Sequence, residues 1–205
     1  MTARALSRIR RRLGIFVYAV LTRPLAAERP PLPAGIELRL LSAGEAIAAC
    51  AEPAFDLTER TVRAAIDRNE ACVGAFDRGT LVGYAWFARE ATAHVGGIWM
   101  DFDRRAVYIY RALVRQEHRG RGIAPALYRF TDPLFLAEGR QSAIICIDTS
   151  NRASLHAAEH SGSSVKGLAG YFKMGTIFVP LRSHGARRVG FRFYLPSRGT
   201  PTEVQ

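Results

Sequence analysis

The sequence is poor in lysine and in cysteine, and it has no apolar run long enough to cross a bilayer. Only Lys166 and Lys173 are lysines, so the formal net charge of +11 comes almost entirely from arginine. Cys50, Cys72 and Cys146 form no CxxC pair, which argues against a disulfide framework and a structural zinc and favours a reducing compartment. So basic a chain favours anionic partners: phosphates, nucleic acid or an anionic membrane surface.

The overall composition is that of one folded domain. The chain has 205 residues, of which 48% are hydrophobic, which is enough for a core and a short extension. No internal repeat and no DNA- or RNA-binding motif is found, and the arginines are spread along the chain, so nucleic acid is not expected as a partner. Hydrophobic patterns predict a mixed α/β domain over residues 35–195 and a flexible tail over residues 196–205.

The first 27 residues form a distinct basic segment. Its apolar run from Leu13 to Leu21 is too short to span a bilayer, which takes about 20 residues. On a helix the apolar side chains of this segment fall on one face and most of its arginines lie opposite, which predicts a basic amphipathic helix over residues 1–27. A proline-rich break over residues 28–34 is predicted to be a linker.

Three placements of that N-terminal helix stay open at the level of the sequence. The helix packs on its own domain or on a second subunit, or residues 1–25 contact an anionic membrane. The third is removal as a signal peptide, which Arg23 and Pro24 disfavour because a cleavage region is normally small and neutral.

A turn with two glycines lies within QEHRGRGIAPALYRF, residues 116–130, directly after a strongly β-type segment. Pro125 is of a residue type favoured at the first position of a helix, so we expect a helix to begin near Ala124. The backbone amides of residues 120–124 would then lie at the positive end of the helix dipole and point, unpaired, into the space in front of the helix. Glycines in this turn would let a ligand approach the backbone closely.

The turn fits neither of two common phosphate-binding motifs. It is not a Walker A loop, because no Gly-Lys-Ser/Thr follows, and it is not the dinucleotide GxGxxG, because Pro125 stands at the third glycine position. The residues alone leave two interpretations open, a site for a phosphate or pyrophosphate and a purely structural turn.

Two motifs in the chain resemble those of the GNAT superfamily of N-acyltransferases. Arg119-x-x-Gly122-x-Ala124 is similar to the central motif of that family, which follows a strand and opens a helix. The segment IICIDTSNRASLHAAEHSG, residues 144–162, is similar to its second motif, a strand followed by a helix that an asparagine, here Asn151, leads. The order of predicted elements also agrees across the domain.

The resemblance implies a fold, a reaction and a cofactor. The fold would be a mixed, mostly antiparallel central sheet flanked by helices. The reaction would be transfer of an acyl group, most simply acetyl, from acyl-coenzyme A to a small-molecule primary amine by direct attack, with no metal. The pyrophosphate would lie on the amides of the glycine turn and the pantetheine arm beside the preceding strand. The implied cofactor-binding residues are Leu113, Val114, Arg119, Gly120, Arg121, Gly122, Ile123, Ala124, Asn151 and Ser154.

The sequence departs from the family pattern where many members carry a proton-donating tyrosine. That position is Ala158, and a methyl group cannot donate a proton. Tyr108 is the candidate catalytic residue, to order a water or to protonate the thiolate, and its alternative role is that of a strand aromatic in the core. Asp101 and Asp103 are the next candidates.

Two other functions are compatible with the sequence. One is a membrane-associated acyltransferase that uses a longer acyl donor, such as an acyl carrier protein, and the basic N-terminal segment motivates it. The other is a non-catalytic module that binds coenzyme A, which Ala158 motivates. We expect a cytoplasmic protein, either free or peripheral to the inner face of the membrane, with a homodimer as an open option.

Overall fold

The computed structural model describes residues 10–196. In chain order its strands are β1 (Ile15–Pro24), β2 (Ile36–Leu40), β3 (Ala71–Asp77), β4 (Thr80–Ala88), β5 (Thr92–Ala93), β6 (Trp99–Asp101), β7 (Ala106–Val114), β8 (Ser142–Asp148), β9 (Ser164–Met174), β10 (Ile177–Arg182) and β11 (Arg192–Tyr194). Its α-helices are α1 (Ala43–Ala48), α2 (Glu59–Asp67), α3 (Ile123–Arg129), α4 (Asp132–Ala137), α5 (Arg152–His160) and α6 (His184–Arg188). Short 3₁₀ turns lie at Ala49–Ala51 and Gln116–His118.

The strands form a large sheet and a small one. The large sheet has 8 strands in the order β10-β9-β1-β8-β7-β4-β3-β2, and β5, β6 and β11 form the small sheet. Neighbouring strands of the large sheet are antiparallel except for β7 and β8, which are parallel. The predicted mixed, mostly antiparallel sheet flanked by helices is therefore confirmed.

Each face of the large sheet has its own cover. Helices α3, α4 and α5 pack on one face, in a core cluster that includes Ile109, Leu127 and Ala158. On the other face α1 and α2 cover β3 and β4, while the small sheet covers β1, β8 and part of β7. The helix that the glycine turn opens therefore lies on one face of β7, and an independent set of elements lies on the opposite face.

The local signals for helix starts agree with the structure. Ser42 and Glu45 form the capping box that precedes α1, and Thr58 caps α2. Asn151 caps α5 by accepting a hydrogen bond from the backbone N–H of Ser154. Side-chain oxygens at these positions satisfy amides that have no partner within the helix.

The N-terminal segment is a central strand, and the amphipathic helix predicted over residues 1–27 is wrong for residues 15–24. β1 pairs with β8 on one side and with β9 on the other, so that Tyr18 lies opposite both Asp148 and Ala169. A strand buried on both faces needs apolar side chains at consecutive positions, not at alternate ones. Such a run also satisfies the helical period, and this ambiguity is the source of the error.

The correction also changes the domain organisation. Because β1 belongs to the large sheet, the domain does not begin at residue 35 as predicted. The predicted linker, residues 28–34, lies in the stretch without helix or strand between β1 and β2. Residues 1–9 and 197–205, and with them nearly all of the predicted tail, lie outside the described residues.

A buried ion pair joins β1 to α4. The guanidinium of Arg23 donates to both carboxylate oxygens of Asp132, at 2.5 and 2.8 Å, and also to the carbonyl oxygens of Tyr128 and Pro24. Both side chains are 2% exposed. Asp132 accepts a further hydrogen bond from the backbone N–H of Ala26. The pair therefore fixes the end of the central strand to the helical face.

Arg23→Ala is expected to lower the free energy of unfolding by about 3–5 kcal/mol, because it leaves the carboxylate of Asp132 buried without its counter-charge. Chemical denaturation measures the loss. The matched control is the double variant Arg23→Met/Asp132→Leu, which removes both charges and should recover most of the stability. If the free energy of unfolding of Arg23→Ala stays within about 1 kcal/mol of wild type, the stabilising role given to this ion pair is wrong.

Candidate functional site

A gap opens between β7 and β8 part of the way along the two strands. Their parallel pairing runs from Ala106 opposite Ser142 to Ile109 opposite Ile145. Beyond Ile109, β7 continues to Val114 with β4 as its only partner among the described strands. Every second residue of this stretch therefore turns its backbone N–H and C=O towards the gap, and an extended ligand would find unpaired hydrogen-bonding groups there.

β7 carries a bulge at the point where the gap begins. Trp86 of β4 lies opposite Tyr110, but Tyr84 lies opposite Leu113, so the register shifts by one residue between them. The extra residue is Arg111, which has a positive φ of 45°. A bulge bends a strand and re-aims the side chains beside it, and bulges are common next to active sites.

Hydrogen bonds at the end of β7 show which amides face the gap. The N–H of Arg115 donates to the carbonyl of Val82 in β4, at 2.8 Å. Neighbouring residues of a strand point in opposite directions, so the amide of Leu113 also faces β4, whereas those of Val114 and Ala112 face the gap. The carbonyl of Val114 is consistent with this, since it accepts from Arg119 Nε at 3.0 Å, away from β4. Ala112 is a gap-facing residue that sequence reasoning missed.

The glycine turn forms an open cradle of amides beside this gap. Gly120 and Gly122 have φ values of 76° and 77°, in the left-handed region that glycine adopts without strain. α3 begins at Ile123, one residue before the expected start, with Gly122 as its N-cap. Within residues 10–196 the amides of Gly120, Arg121 and Gly122 donate no hydrogen bond. Such amides at the start of a helix favour an anion.

The two predicted arginine side chains brace the turn. Arg119 is tied to the end of β7 as described above. Arg121 donates to Asp77 at 2.8 Å and to the carbonyl of Ala34 at 3.0 Å. The hydrogen bond from Arg121 holds the pKa of the Asp77 carboxyl below its ordinary value. His118 Nε2 lies 3.4 Å from the same carboxylate, so the turn is fastened to the β3–β4 hairpin.

The residues of the second motif stand at the start and on the inner face of α5. Asn151 and Ser154 are joined by the N-cap hydrogen bond, at 3.1 Å. Their contact with a cofactor stays a prediction. Ala158 is fully buried in the core cluster beneath the helix, so its side chain supports packing.

Tyr108 and Tyr110 lie on one face of β7, as the period of a strand predicts, but their surroundings differ. Their rings stack with centroids 5.9 Å apart and planes 9° apart. Tyr108 is 3% exposed, its hydroxyl donates to the sulfur of Met100 at 3.2 Å, and burial raises its pKa well above the ordinary value. The structure thus gives Tyr108 a packing role, and its proposed proton role stays a prediction.

Tyr110 leads to a carboxylate that sequence reasoning missed. It is the first residue of β7 beyond the last pair with β8, and its hydroxyl donates to Glu70 Oε2. Glu70 also accepts from Thr92 Oγ1 at 2.6 Å and from Arg68 Nε at 2.9 Å. Burial, and then the charge of Glu70, raise the pKa of Tyr110 well above its ordinary value.

A cleft opens beside Glu70, with a volume of about 140 Å³. It is lined by residues of α1, by the end of α2, and by Cys72 and Trp86 of the sheet. Trp86 lies opposite Tyr110 across β4 and β7, and its buried indole N–H has no hydrogen-bond partner among residues 10–196. The cleft and Tyr110 are therefore on the same face of the sheet, opposite α3.

The other sequence candidates have structural partners elsewhere. Asp101 is paired with Arg192 at 2.7 Å. Asp103 accepts from the backbone N–H of Arg105 at 2.8 Å, and this hydrogen bond lowers the pKa of the Asp103 carboxyl. Among the residues described, no group of three or more His, Cys, Asp or Glu side chains is arranged to hold a metal ion. None of the helices in the same range has the length and apolar character that a bilayer span needs.

The open turn of amides beside the end of β7 lies where the resemblance to the N-acyltransferases implies that the pyrophosphate of acyl-coenzyme A binds. The chain belongs to the acetyltransferase (GNAT) family, whose model matches residues 39–162. Members of this family use acetyl-coenzyme A and transfer its acyl group to amines. A search of curated proteins found no match.

Solved structures of the same fold come from several bacteria. A GCN5-related N-acetyltransferase from Sphaerobacter thermophilus is 19% identical, with a TM-score of 0.52, over 88% of this chain and 56% of that one. One from Kribbella flavida is 17% identical, with a TM-score of 0.51, over 92% and 67%. A putative acetyltransferase from Novosphingobium aromaticivorans is 16% identical, with a TM-score of 0.52, over 75% and 61%. The chain thus spans little more than half the length of most of these structures.

Proposed function

We propose that this protein is an N-acetyltransferase that transfers the acetyl group of acetyl-coenzyme A to a small-molecule primary amine by direct attack. The observation that carries the proposal is the gap between β7 and β8, with the unpaired amides of residues 120–122 at its end. The pyrophosphate would bind those amides, and the pantetheine arm would take the place of a strand partner along β7. The free cysteines among the described residues are in keeping with a reducing compartment such as the cytoplasm.

The backbone of β7 would supply a hydrogen-bond donor to the thioester carbonyl. An amide that faces the gap, from Ala112 or Val114, would donate to the carbonyl oxygen on which negative charge develops. A donor fixed in this way stabilises the transition state more than water does, because the donor need not reorient during the reaction. Leu113 and Val114 are both among the cofactor-binding residues that the resemblance implies, and the alternation of the strand favours Val114 as this donor.

The proton of the amine would leave on the face of the sheet that carries Tyr110 and Glu70, opposite α3. The amine nitrogen forms a C–N bond with the thioester carbon, the C–S bond breaks, and the thiolate leaves. The excess proton of the amine passes to Tyr110 Oη while the proton of Tyr110 moves to Glu70. The thiolate can leave with little assistance from a general acid, since an alkyl thiol has a pKa of about 8.5. The cleft beside Glu70 would admit the amine.

The direct test is release of free thiol from acetyl-coenzyme A in the presence of a panel of primary amines. We expect release that depends on the amine and saturates with it. The rates of thiol release from longer acyl-coenzyme A donors, measured in parallel, show which acyl group the protein prefers. Retained coenzyme A binding without thiol release for any amine would show a non-catalytic binding module instead, as the alanine at position 158 would allow.

A further inference from the structure

Arg111 is an exposed cation that no described residue neutralises. It is the extra residue of the β7 bulge, at the point where the gap between β7 and β8 begins. Its guanidinium makes no ion pair, hydrogen bond or ring contact with any of residues 10–196. By contrast, Arg68 beside the cleft and Arg121 in the glycine turn each pair with a carboxylate. The guanidinium of Arg111 is therefore free to bind a ligand.

The backbone of Arg111 is in a conformation that its residue type disfavours. Its φ of 45° lies in the left-handed region, where a residue with a long side chain is strained. Glycine would adopt this conformation without strain, and asparagine would adopt it with less. Residues held in such conformations cluster at active sites and at ligand-binding positions. The bulge thus keeps a long cationic side chain beside the gap although a smaller residue would fit the backbone better.

The charge of Arg111 acts on the face of the sheet opposite α3. Burial, followed by the charges of Arg111 and Arg11, lowers the pKa of His94 to about 4. Burial raises the pKa of Tyr110, and the charge of Arg111 counteracts this rise. Both rings pack with the clusters on that face, where the cleft also lies. The guanidinium therefore stands on the side from which the amine would enter.

The carboxylates on this face leave Arg111 without a counter-charge. Glu70, whose side chain is 2% exposed, already accepts three hydrogen bonds from other side chains. Asp56 is exposed, and its charge adds to the rise that burial causes in the pKa of Tyr84, but it makes no ion pair with Arg111. The site thus presents a buried carboxylate and, apart from it, an exposed cation.

We propose that the acceptor amine carries a carboxylate group and that Arg111 binds this group. The inference rests on the proposed function, because it names the class of amine that the same site accepts. A guanidinium and a carboxylate can form two parallel hydrogen bonds, which orient the ligand as well as hold it. The amino group would then face Tyr110 and Glu70, so that each end of an amino acid meets a group of opposite charge. A neutral substituent in place of the carboxylate would leave Arg111 unpaired.

The experiment compares matched substrates in the assay of thiol release. The panel runs from glycine to 6-aminohexanoate, so that the number of methylene groups between the amine and the carboxylate increases, and each acid is paired with its own amide. The wild-type protein should prefer at least one acid to its amide by about 10–100-fold in kcat/KM, since a hydrogen bond to a charged group is lost in the amide. The preferred length indicates how far Arg111 stands from the site of acetyl transfer.

Arg111→Asn should lower the ratio of kcat/KM for the preferred acid to that for its amide by about tenfold or more. Asparagine removes the charge and adopts a positive φ more readily than arginine, so the variant should melt no lower than wild type. Arg104→Asn is the matched control, because it removes the same charge from the exposed turn before β7. Its ratio should stay within about twofold of wild type. Arg111→Lys keeps the charge and should retain part of the preference.

The possible outcomes separate this inference from the proposed function. No thiol release with any amine would overturn both. Thiol release in which acids and amides are used equally would overturn the role of Arg111 and leave acetyl transfer in place. Equal losses of preference in Arg111→Asn and Arg104→Asn would show that net charge, and not the position at the bulge, selects the acid. A stronger preference for an aminoalkyl phosphate than for the acid of equal length would overturn the carboxylate and assign Arg111 to a phosphate group.

Discussion

Replacing Gly122 with aspartate is expected to abolish the rise in melting temperature that acetyl-coenzyme A gives the wild-type protein. A ligand at about 100 times its Kd stabilises the folded state by about 2.7 kcal/mol. For a chain of this size that corresponds to a shift on the order of 5–10 °C. In the variant a carboxylate would stand beside the amides that face the pyrophosphate, and its charge would repel the ligand. Thermal denaturation with and without acetyl-coenzyme A measures the effect.

The matched control for this substitution is Gly139→Asp. Gly139 has a φ of 81°, close to the 77° of Gly122, and no atom of the described part of the chain lies within 4 Å of a Cβ added at either residue. Both substitutions therefore add the same charge and impose a similar backbone strain, about 1–2 kcal/mol. Only the variant in the glycine turn should lose the response to the ligand. A normal shift in Gly122→Asp would show that the pyrophosphate binds elsewhere.

The largest effect on turnover is expected from Tyr110→Phe, which removes one hydroxyl at the start of the gap. The substitution breaks the proposed path from the amine to Glu70 while leaving the ring and its stacking on Tyr108 in place. Loss of a proton relay costs on the order of 10²-fold in kcat, at the lower end of the range for acid–base catalysis. Steady-state kinetics should show this loss in kcat, with KM for acetyl-coenzyme A little changed.

Tyr108→Phe is the matched control, because it removes the same atom from the neighbouring ring of the same strand. Its hydroxyl is buried against the sulfur of Met100, so kcat should stay within about twofold of wild type. The reverse ranking of the two variants would return the catalytic role to Tyr108 as the sequence suggests. Glu70→Gln tests the end of the path and should resemble Tyr110→Phe in kcat.

The strands and helices with strong local signals could be predicted from the sequence. β7 is the strongly β-type segment that precedes the glycine turn, and the caps at Ser42, Thr58 and Asn151 are local hydrogen bonds that a few neighbouring residues determine. β1 could not be assigned, because a strand buried on both faces lacks alternation. Its enrichment in aromatic and β-branched residues was the signal that would have favoured a strand.

The site could be predicted only where it is continuous in sequence. The glycine turn is such a case, since its φ values and its place before a helix follow from residues 120–125. The pair formed by Tyr110 and Glu70 joins residues that are 40 positions apart, and no spacing rule connects them. The bulge at Arg111 is likewise set by the register between β4 and β7 and not by the residue type alone.

The position of β1 in the middle of the sheet has a consequence for folding during synthesis. During synthesis β1 must wait for both of its neighbours, since Val17 and its partner Thr149 are 132 residues apart and β9 comes later still. Contacts between residues so distant in sequence slow folding, because the loop entropy is lost before the contacts form. Until residues 164–174 emerge, the edge of the apolar strand β1 that pairs with β9 stays exposed. This interval is when the nascent chain would most need a chaperone.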